Sequence, residues 1–244
     1  MSSTGQQMCS DSDFDKLAVI AEAATDEMVM AVMFHETWKP AALDERLHAR
    51  MGTSFATQSF NIVRIALRRE MVMAMMRIWD TNPESVRMSL VAETLKNKAF
   101  VRQLMARRAS RLGKAAESIG PLLNDSLETQ RRQVLNLIRR YQHGGTGYDA
   151  LERIRLLRHE RLAHRQALDS PTRIDPSDTE VDALYEDSLT LVTLLQSLIL
   201  GRAFDLDEAG NIYRHHASFF WACVRGEQTE GHPNYRPPPD SSAA

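Results

Sequence analysis

Apolar residues recur along most of this chain at steps of three and four positions, which is the spacing of one face of an α-helix. The first such run predicts a helix over about 14–37 and consists of Leu17, Ile20, Ala21, Ala24, Met28, Ala31 and Val32. A second run predicts a helix over about 55–79, with Ser54 as its cap, and consists of Phe60, Val63, Leu67, Met71, Ala74, Met75 and Ile78. No segment alternates apolar and polar residues as a half-buried strand would. The sequence therefore predicts an all-α protein of about seven helices.

Breaks in this pattern predict where the helices end. The segment 80–83 ends the second helix, and Asn82 is expected to cap a short helix that starts at Pro83. Gly120-Pro121 is expected to interrupt a long basic helical stretch over about 99–142, and the flexible turn His143-Gly144-Gly145 ends it.

The rest of the chain is predicted to continue the helical bundle without an internal repeat. Further helices are expected over about 148–168, from Asp175-Pro176 to Gly201, and over about 208–225, with loops at 41–53 and 169–176. These helix lengths and short connections predict an up-and-down bundle with additional helices. We expect one domain over residues 13–226, between disordered tails at 1–12 and 227–244.

Charge is distributed unevenly, although the whole chain has a formal net charge of −2. Residues 98–165 contain 15 basic and 6 acidic side chains, whereas residues 166–244 contain 5 basic and 13 acidic ones. A basic segment in a nearly neutral protein is typical of a surface that binds a polyanion. The alternative, to which we give equal weight, is that the basic middle part pairs with the acidic C-terminal third.

Several classes of protein are disfavoured by composition. Two cysteines, Cys9 and Cys223, are too few for a disulfide framework or a four-cysteine zinc site and suit a reducing compartment. The first residues lack the basic and then apolar order of a signal peptide. The best apolar run, 189–200, is interrupted by polar residues and shorter than the roughly 20 residues that a membrane helix needs. We therefore expect a cytoplasmic protein with no membrane segment.

No recognised cofactor motif is present in the sequence. It contains no Gly-rich phosphate loop and no nucleophile elbow. His215 and His216 are adjacent, so they point to different faces of a helix and lack metal-ligand spacing. We therefore expect no metal and no other cofactor.

The segment most informative about chemistry runs from Leu156 to Arg165 and places Arg158 and His164 near the end of one predicted helix. A guanidinium group can hold two phosphate oxygens and offset the negative charge that builds in a transition state. An imidazole group can move a proton near neutral pH. These two groups are sufficient to cleave a phosphodiester without a metal ion.

One straight helix does not bring Arg158 and His164 together. Six residues turn a helix through about 600°, so the two side chains point about 120° apart. The reach of the arginine, a distortion near the helix end, or a second copy of this helix must close the gap. The last solution predicts a homodimer in which a two-fold axis sets the same surface against itself.

The segment resembles the motif of the HEPN superfamily, in which an Arg is followed by a polar residue and, after four to six intervening residues, by a His. Here these residues are Arg158, His159 and His164. The upstream segment 64–80 ends in Ile78-Trp79-Asp80. It is similar to the abortive-infection branch of that superfamily, in which a helix ending in Leu/Ile-Trp-Asp precedes the motif helix. The resemblance covers roughly residues 15–200.

This resemblance implies a helical bundle that dimerises through its motif helices. It also implies a metal-independent endoribonuclease that acts in phage defence or in a toxin–antitoxin system. Arg158 and His164 are then the catalytic pair, with His159 as polar support. Some relatives carry a Tyr two residues after the His, which a partner nucleotidyltransferase modifies. Gln166 stands at that position here, which argues against such silencing at this site.

Other charged residues are predicted to support the pair. Arg161 and Arg165 add positive charge around the site, and Glu160 is expected either to orient the His164 imidazole or only to pair with it on the surface. Asp80 is predicted to be a structural anchor that faces the motif helix, because a charge inside a bundle must be paired.

Arginines on the long basic helices form a second predicted set. They are expected to contact an RNA backbone, or alternatively to pair with the acidic C-terminal third; they are Arg107, Arg108, Arg111, Arg131, Arg132, Arg139 and Arg140.

Two other functions stay open. One is a non-catalytic HEPN-like module that binds a partner protein or a nucleotide, and the other is a structural or regulatory dimer that uses the Met-rich faces near 28–33 and 71–76. The competing interpretation of Arg158 and His164 is the solvated basic face of a surface helix. The expected partners are RNA and a second copy of the chain, with an antitoxin or another protein as a further candidate.

Overall fold

A computed structural model describes residues 11–52, 54–82, 85–158 and 176–227. Within these ranges the protein has nine α-helices and no strand, so the predicted all-α class is confirmed. A 3₁₀ turn, Gly113–Ala115, precedes the sixth helix, and a π-helical turn, Gln196–Leu200, follows the eighth. The helices are α1 Asp11–Leu43, α2 Glu45–Gly52, α3 Thr57–Ile78, α4 Met88–Lys96, α5 Lys98–Ser110, α6 Ala116–Arg140, α7 Tyr148–Leu157, α8 Asp178–Leu195 and α9 Leu206–Val224.

The chain divides into two compact units. Unit 1 comprises Met1–Val29 and Val72–Asp205, and unit 2 comprises Met30–Met71 and Leu206–Ala244. Helices α1 and α3 contribute residues to both units. The predicted domain limits at residues 13 and 226 stay predictions, because most of the two tails lies outside the described residues.

The core of unit 1 forms around α6 and α8. Helix α6 packs against α4, α5 and α8, and α7 packs against α8. Thr25 of α1 accepts a hydrogen bond from the Gln196 side chain, which ties α1 to the π-helical turn. The residues of α8 that face this core are Val181, Leu184, Tyr185, Ser188, Leu191, Val192 and Leu195.

Helix α8 and the turn that follows it form one stretch, Asp178–Leu200, that is long and apolar enough to cross a membrane. This is a statement about length and composition within the described residues. The core helix of a globular protein meets the same criteria, and one side of α8 is buried in the core of unit 1. The sequence-based expectation considered only the shorter run 189–200 and therefore missed this stretch.

The two predicted apolar stripes have different outcomes. The stripe on α1 is buried along its whole length, as predicted. On α3, the stripe residues Phe60, Met71, Ala74, Met75 and Ile78 are buried, but Val63 is exposed and Leu67 is only partly buried. The prediction of a continuous stripe on α3 is therefore wrong in the first half of that helix. Met28, Met71, Met75 and Met76 lie inside the chain as core residues.

The predicted loop at 41–53 is wrong, because α1 continues to Leu43 and α2 begins at Glu45. Asp44 caps α2, since its Oδ1 accepts hydrogen bonds from the backbone N–H groups of Arg46 and Leu47 at 2.9 and 3.1 Å. Pro40 lies in the last turns of α1. It removes one helical donor and does not end the helix.

The predicted short helix from Pro83 is wrong over the described residues, because 85–87 are not helical and α4 begins only at Met88, without a side-chain cap. After α3, the backbone N–H groups of Thr81 and Asn82 donate to Asp80 Oδ1, so the aspartate side chain stabilises this turn. Pro83 itself lies outside the described residues.

The break in the long basic stretch lies at 111–115, not at Gly120-Pro121. Gly113 adopts a φ of 55°, a left-handed conformation that residues other than glycine rarely adopt. This glycine lies in the short connection between α5 and α6. Gly120 and Pro121 both lie inside α6. The turn at 143–145 is confirmed, because α6 ends at Arg140 and α7 begins at Tyr148.

The start of α8 is capped by Ser177, whose side chain accepts from the backbone of Glu180 while the Glu180 carboxylate accepts from the backbone of Ser177. The predicted start of this helix at Asp175-Pro176 is within three residues of the observed start at Asp178. The last helix agrees with its prediction to within two residues at its start. The predicted end of the motif helix near 168, and most of the loop at 169–176, lie outside the described residues.

Unit 2 has a small core of its own, which contains Ala41, Leu47, Met51, Phe60, Ala217 and Trp221. In the same unit, the buried carboxylate of Glu36 accepts hydrogen bonds from Arg214 Nε at 2.7 Å and from His35 Nδ1 at 3.1 Å. Burial raises the pKa of Glu36, but the hydrogen bonds and positive charges of His35 and Arg214 outweigh it and lower the pKa to about 2.

Candidate functional site

Arg158 directly follows α7, and its half-buried guanidinium points at the turn that ends α3. Its Nη1 lies 3.4 Å from Asp80 Oδ2. The other oxygen of Asp80 accepts from the backbone N–H groups of Thr81 at 2.7 Å and Asn82 at 3.0 Å. Asp80 therefore joins the end of α7 to the turn after α3, and its role as an anchor stays a prediction.

The electrostatics of Asp80 favour its ionised form. Burial raises the pKa of its carboxyl group, whereas the N–H groups of Asn82 and Thr81 and the positive charge of Arg158 lower it. The lowering effects prevail, and the pKa of Asp80 lies below its ordinary value. Asp80 is therefore a carboxylate that stays charged opposite Arg158.

A second arginine of α7 reaches the same turn. Arg155 Nη2 donates to the backbone oxygen of Trp79 at 3.0 Å, and its Nη1 pairs with Glu152. The carbonyl groups of the last helical turn have no partner within a helix, so this bond satisfies one such group at the end of α3. Arg155 and Arg158 thus hold two successive residues, Trp79 and Asp80.

Trp79 fixes this turn from the inside. Its indole N–H donates to Ser188 Oγ at 2.8 Å, and Ser188 donates in turn to the Leu184 oxygen at 2.6 Å. The Trp79 ring lies 4.8 Å from the ring of Tyr141, centroid to centroid. A buried tryptophan whose polar atom is satisfied is a firm support, and Asp80 is the next residue in the chain.

Tyr141 and Asp187 complete this support. The Tyr141 hydroxyl group donates to Asp187 Oδ2 at 2.7 Å, and Arg140 Nη1 lies 2.7 Å from the same oxygen. Burial, followed by the hydrogen bond and negative charge of Asp187, raises the pKa of Tyr141. The hydroxyl group is therefore a donor at neutral pH.

The arginines predicted to bind RNA have several different surroundings. The Arg107 guanidinium carbon lies 3.8 Å from the centre of the Phe14 ring, and Arg108 donates to the Ser197 oxygen at 3.3 Å. Burial, with the nearby charge of Arg111, lowers the pKa of Arg108. Their role in RNA binding stays a prediction.

The other members of this set divide between paired and exposed residues. Arg131 forms two hydrogen bonds with Glu128, and Arg132 lies 3.9 Å from the same carboxylate. Arg111 and Arg139 are exposed.

Some of the basic middle segment pairs with the acidic C-terminal part of the chain. Arg140 pairs with Asp187, and Arg153 pairs with Glu180. The internal-pairing alternative therefore holds at these two places. It does not account for the exposed arginines.

The remaining predicted site residues lie outside the described residues: His159, Glu160, Arg161, His164 and Arg165. The approach of His164 to Arg158, and the way in which the angular gap between them is closed, therefore stay predictions. Among the described residues, no group of three or more His, Cys, Asp or Glu side chains could hold a metal ion.

Sequence reasoning missed Ser188, Tyr141, Asp187 and Arg155. One signal was available for Ser188, which occupies a core position four residues after Leu184 and three before Leu191. A serine at a core position requires a hydrogen-bonding partner, and the indole of Trp79 is one. No comparable signal pointed to Asp187.

A sequence model of the HEPN AbiU2 family, described as AbiU2, matches residues 14–220. The matched range begins in α1, ends in α9 and includes both Asp80 and Arg158. The comparisons with curated proteins and with solved structures found no match.

Proposed function

This chain belongs to the AbiU2 family, in the abortive-infection branch of the HEPN superfamily, and we propose that it is a metal-independent endoribonuclease. In this proposal the catalytic pair is Arg158 and His164, and the active form is a homodimer with a shared cleft. The protein works in the cytoplasm, in phage defence or in a toxin–antitoxin system, where an antitoxin or another partner protein restrains it.

The observation that carries the proposal is the fixed position of Arg158. Asp80 holds its guanidinium from one side, and Asp80 is itself held by two backbone N–H groups and by the buried ring of Trp79 next to it. An arginine that is to stabilise a transition state must be oriented before the substrate arrives, because reorganisation during the reaction costs free energy. This support is what such an arginine needs.

The proposed reaction is a transesterification within the RNA strand. The 2′-hydroxyl oxygen attacks the adjacent phosphorus and loses its proton, and the bond from phosphorus to the 5′-oxygen breaks as that oxygen gains a proton. His164 handles one of these protons, and Arg158 offsets the charge on the non-bridging oxygens. The products are a 2′,3′-cyclic phosphate and a 5′-hydroxyl end.

The test is incubation of purified protein with RNA in the presence of EDTA, followed by analysis of the RNA ends. His164→Ala should lower the cleavage rate by about 10²–10⁴-fold, the usual contribution of a positioned acid or base. His216→Ala is the matched control, because His216 is an exposed histidine of α9. No cleavage by the wild type, or equal cleavage by His164→Ala, would reject the proposal.

The pairing of Arg158 with Asp80 also favours a second candidate function, a non-catalytic module that binds a partner protein or nucleotide. A carboxylate 3.4 Å from the guanidinium competes with a phosphate for it. This candidate predicts a stable complex, and an unchanged biological effect after His164→Ala. Co-purification of the wild type and His164→Ala from phage-challenged cells, scored with cell survival, distinguishes the two.

A further inference from the structure

A partly open cavity of about 190 Å³ lies beside the turn that holds Arg158. Asp80 lines this cavity and also contacts Arg158, so the cavity adjoins the predicted catalytic arginine. Four rings line it as well: Trp79, Tyr141, His143 and Tyr148. We propose that this cavity binds one unpaired base of the RNA substrate next to the cleaved linkage, an inference that rests on the proposed function.

The size of the cavity suits one heterocyclic base better than a larger ligand. Pockets for drug-sized molecules measure roughly 300–1,000 Å³, so this one is too small for a dinucleotide or a cofactor. Trp79 and Tyr141 are almost fully buried, whereas Tyr148 is half-buried and His143 is exposed. Of the four lining rings, those of Tyr148 and His143 are therefore the ones that solvent, and so an incoming base, can reach.

Aromatic faces beside polar groups are the usual means of holding an unpaired base. Proteins that recognise single-stranded RNA stack bases on such rings and read their edges with hydrogen bonds. Asp80 and Arg155 are among the lining residues, so a group that can accept and a group that can donate both lie beside the cavity. Thr81 and Gln142 add polar side chains to the lining.

Positive charge near the cavity fits a ligand that carries phosphates. Arg155 lines the cavity, Arg158 contacts the lining residue Asp80, and the exposed Arg139 precedes Tyr141 by two residues. A simple packing defect is usually lined by apolar side chains, whereas polar side chains and arginines surround this cavity. The combination favours a nucleotide unit over an apolar side chain of a partner protein.

The turn after α6 holds the exposed rings in place. The His143 and Tyr148 rings lie 5.3 Å apart, centroid to centroid, in an edge-to-face arrangement. Gly147 lies against Tyr141, since a Cβ atom at Gly147 would come within 2.6 Å of that ring. The cavity is thus preformed by a turn whose glycine cannot be enlarged without moving a lining residue.

The proposal is tested by binding, on the full-length His164→Ala protein so that cleavage does not interfere. The probes are a short single-stranded RNA and a strand of the same length that has the ribose-phosphate backbone but no bases. The RNA should bind at least about fivefold more tightly, since the stacking of one base changes affinity by roughly 5- to 150-fold. Tyr148→Ala should remove this preference and leave binding of the base-free strand unchanged.

Two variants control for folding and for the ring itself. Tyr148→Phe keeps the aromatic face and should keep the preference for RNA, and Tyr213→Ala removes a half-buried tyrosine of α9 and should also keep it. Equal binding of the two strands, or an equal loss for both strands in Tyr148→Ala, would overturn the proposal.

A cleavage assay with EDTA separates this inference from the proposed function. Cleavage by the wild type without any preference for bases would leave the nuclease standing and remove the base site. A base-dependent affinity without cleavage would leave the base site standing and remove the nuclease.

Discussion

Replacement of Asp80 by alanine removes three contacts at once. The carboxylate accepts from the backbone N–H groups of Thr81 and Asn82, and its second oxygen faces Arg158 Nη1 at 3.4 Å. Hydrogen bonds to a charged group contribute about 1.5–3 kcal/mol each when they are buried. Thr81 and Asn82 are exposed, so water can replace the aspartate at their N–H groups. We therefore expect Asp80→Ala to lower the free energy of unfolding by about 2 kcal/mol, less than the sum of the three contacts.

The expected loss converts to a measurable shift in melting temperature. For a protein of this length, 1 kcal/mol corresponds to roughly 2–4 °C, so Asp80→Ala should lower the melting temperature by about 4–8 °C in calorimetry. Asp80→Asn keeps an oxygen that accepts from the backbone and loses only the charge. Asp80→Asn should therefore lower the free energy of unfolding by about half as much as Asp80→Ala. Asp125→Ala, at an exposed position of α6, is the matched control and should change stability by less than about 0.5 kcal/mol.

The contribution of Arg158 can be isolated with a double-mutant cycle. A distance of 3.4 Å is longer than the roughly 2.7–2.9 Å of a tight charge-assisted bond, and both side chains are partly exposed. The coupling energy between Asp80→Ala and Arg158→Ala should therefore be about 0.5–1 kcal/mol. A coupling energy indistinguishable from zero, or equal losses in Asp80→Asn and Asp80→Ala, would refute the anchoring argument.

The same residue predicts how stability depends on pH. The pKa of Asp80 is lowered in the folded protein, so its ionised form stabilises the fold. That contribution is complete above the unfolded-state pKa of about 3.9 and is lost as the pH falls through the lower folded-state pKa. The stability difference between wild type and Asp80→Asn should shrink below about pH 4, as measured by urea unfolding.

Three further substitutions test other parts of the structure. Gly147→Ala should cost about 1–3 kcal/mol in urea unfolding, because its Cβ would lie 2.6 Å from the Tyr141 ring. Glu36→Gln should lower the free energy of unfolding by about 1–3 kcal/mol, because it weakens the hydrogen bonds from Arg214 and His35. Because the pKa of Glu36 is lowered to about 2, its contribution is present above its ordinary value of 4.5 and is lost as the pH falls toward 2. Arg158→Lys should melt near the wild-type temperature but lose RNA cleavage, since an ammonium group can satisfy Asp80 and cannot also form a fork with a phosphate.

Each of these has a result that would count against it. Gly52→Ala is the control for Gly147, because nothing lies within 4 Å of its position, and equal losses in the two variants would contradict the steric argument. A pH-independent difference between Glu36→Gln and wild type would show that the charge of Glu36 does not stabilise the fold. Retention of full cleavage by Arg158→Lys would exclude a role for the guanidinium fork.

The sequence was sufficient for the fold class because the helical period is strong where helices are buried. Every position of the α1 stripe keeps the same phase, and all of them are in the core. The wrong helix boundaries arose where single residue types were used to predict a break or a loop. A proline follows Gly120, which favoured a break there, whereas Gly113 takes the left-handed conformation. The loop predicted at 41–53 left out Asp44, whose side chain caps α2.

The candidate site was only partly accessible from the sequence, for a physical reason. Asp80 could be predicted as an anchor because a carboxylate at a helix end inside a bundle needs a cation, and Arg158 is that cation. The side chains behind it come from α8 and from the end of α6, far away in sequence. Their pairing depends on how the helices cross, and periodicity determines only which face of each helix is buried.

The contact between Asp80 and Arg158 supports both anchoring and chemistry. The Asp80 contact uses one nitrogen of a guanidinium group that has five N–H donors in a planar fork. The other Asp80 oxygen accepts from two backbone N–H groups, which favour one orientation of the carboxylate and of the arginine that it faces. The fork is therefore constrained in direction while its remaining donors can be directed elsewhere. A phosphate that met those donors would find an arginine that already contacts the turn of Trp79 and Asp80, which is the arrangement that the proposed role of Arg158 requires.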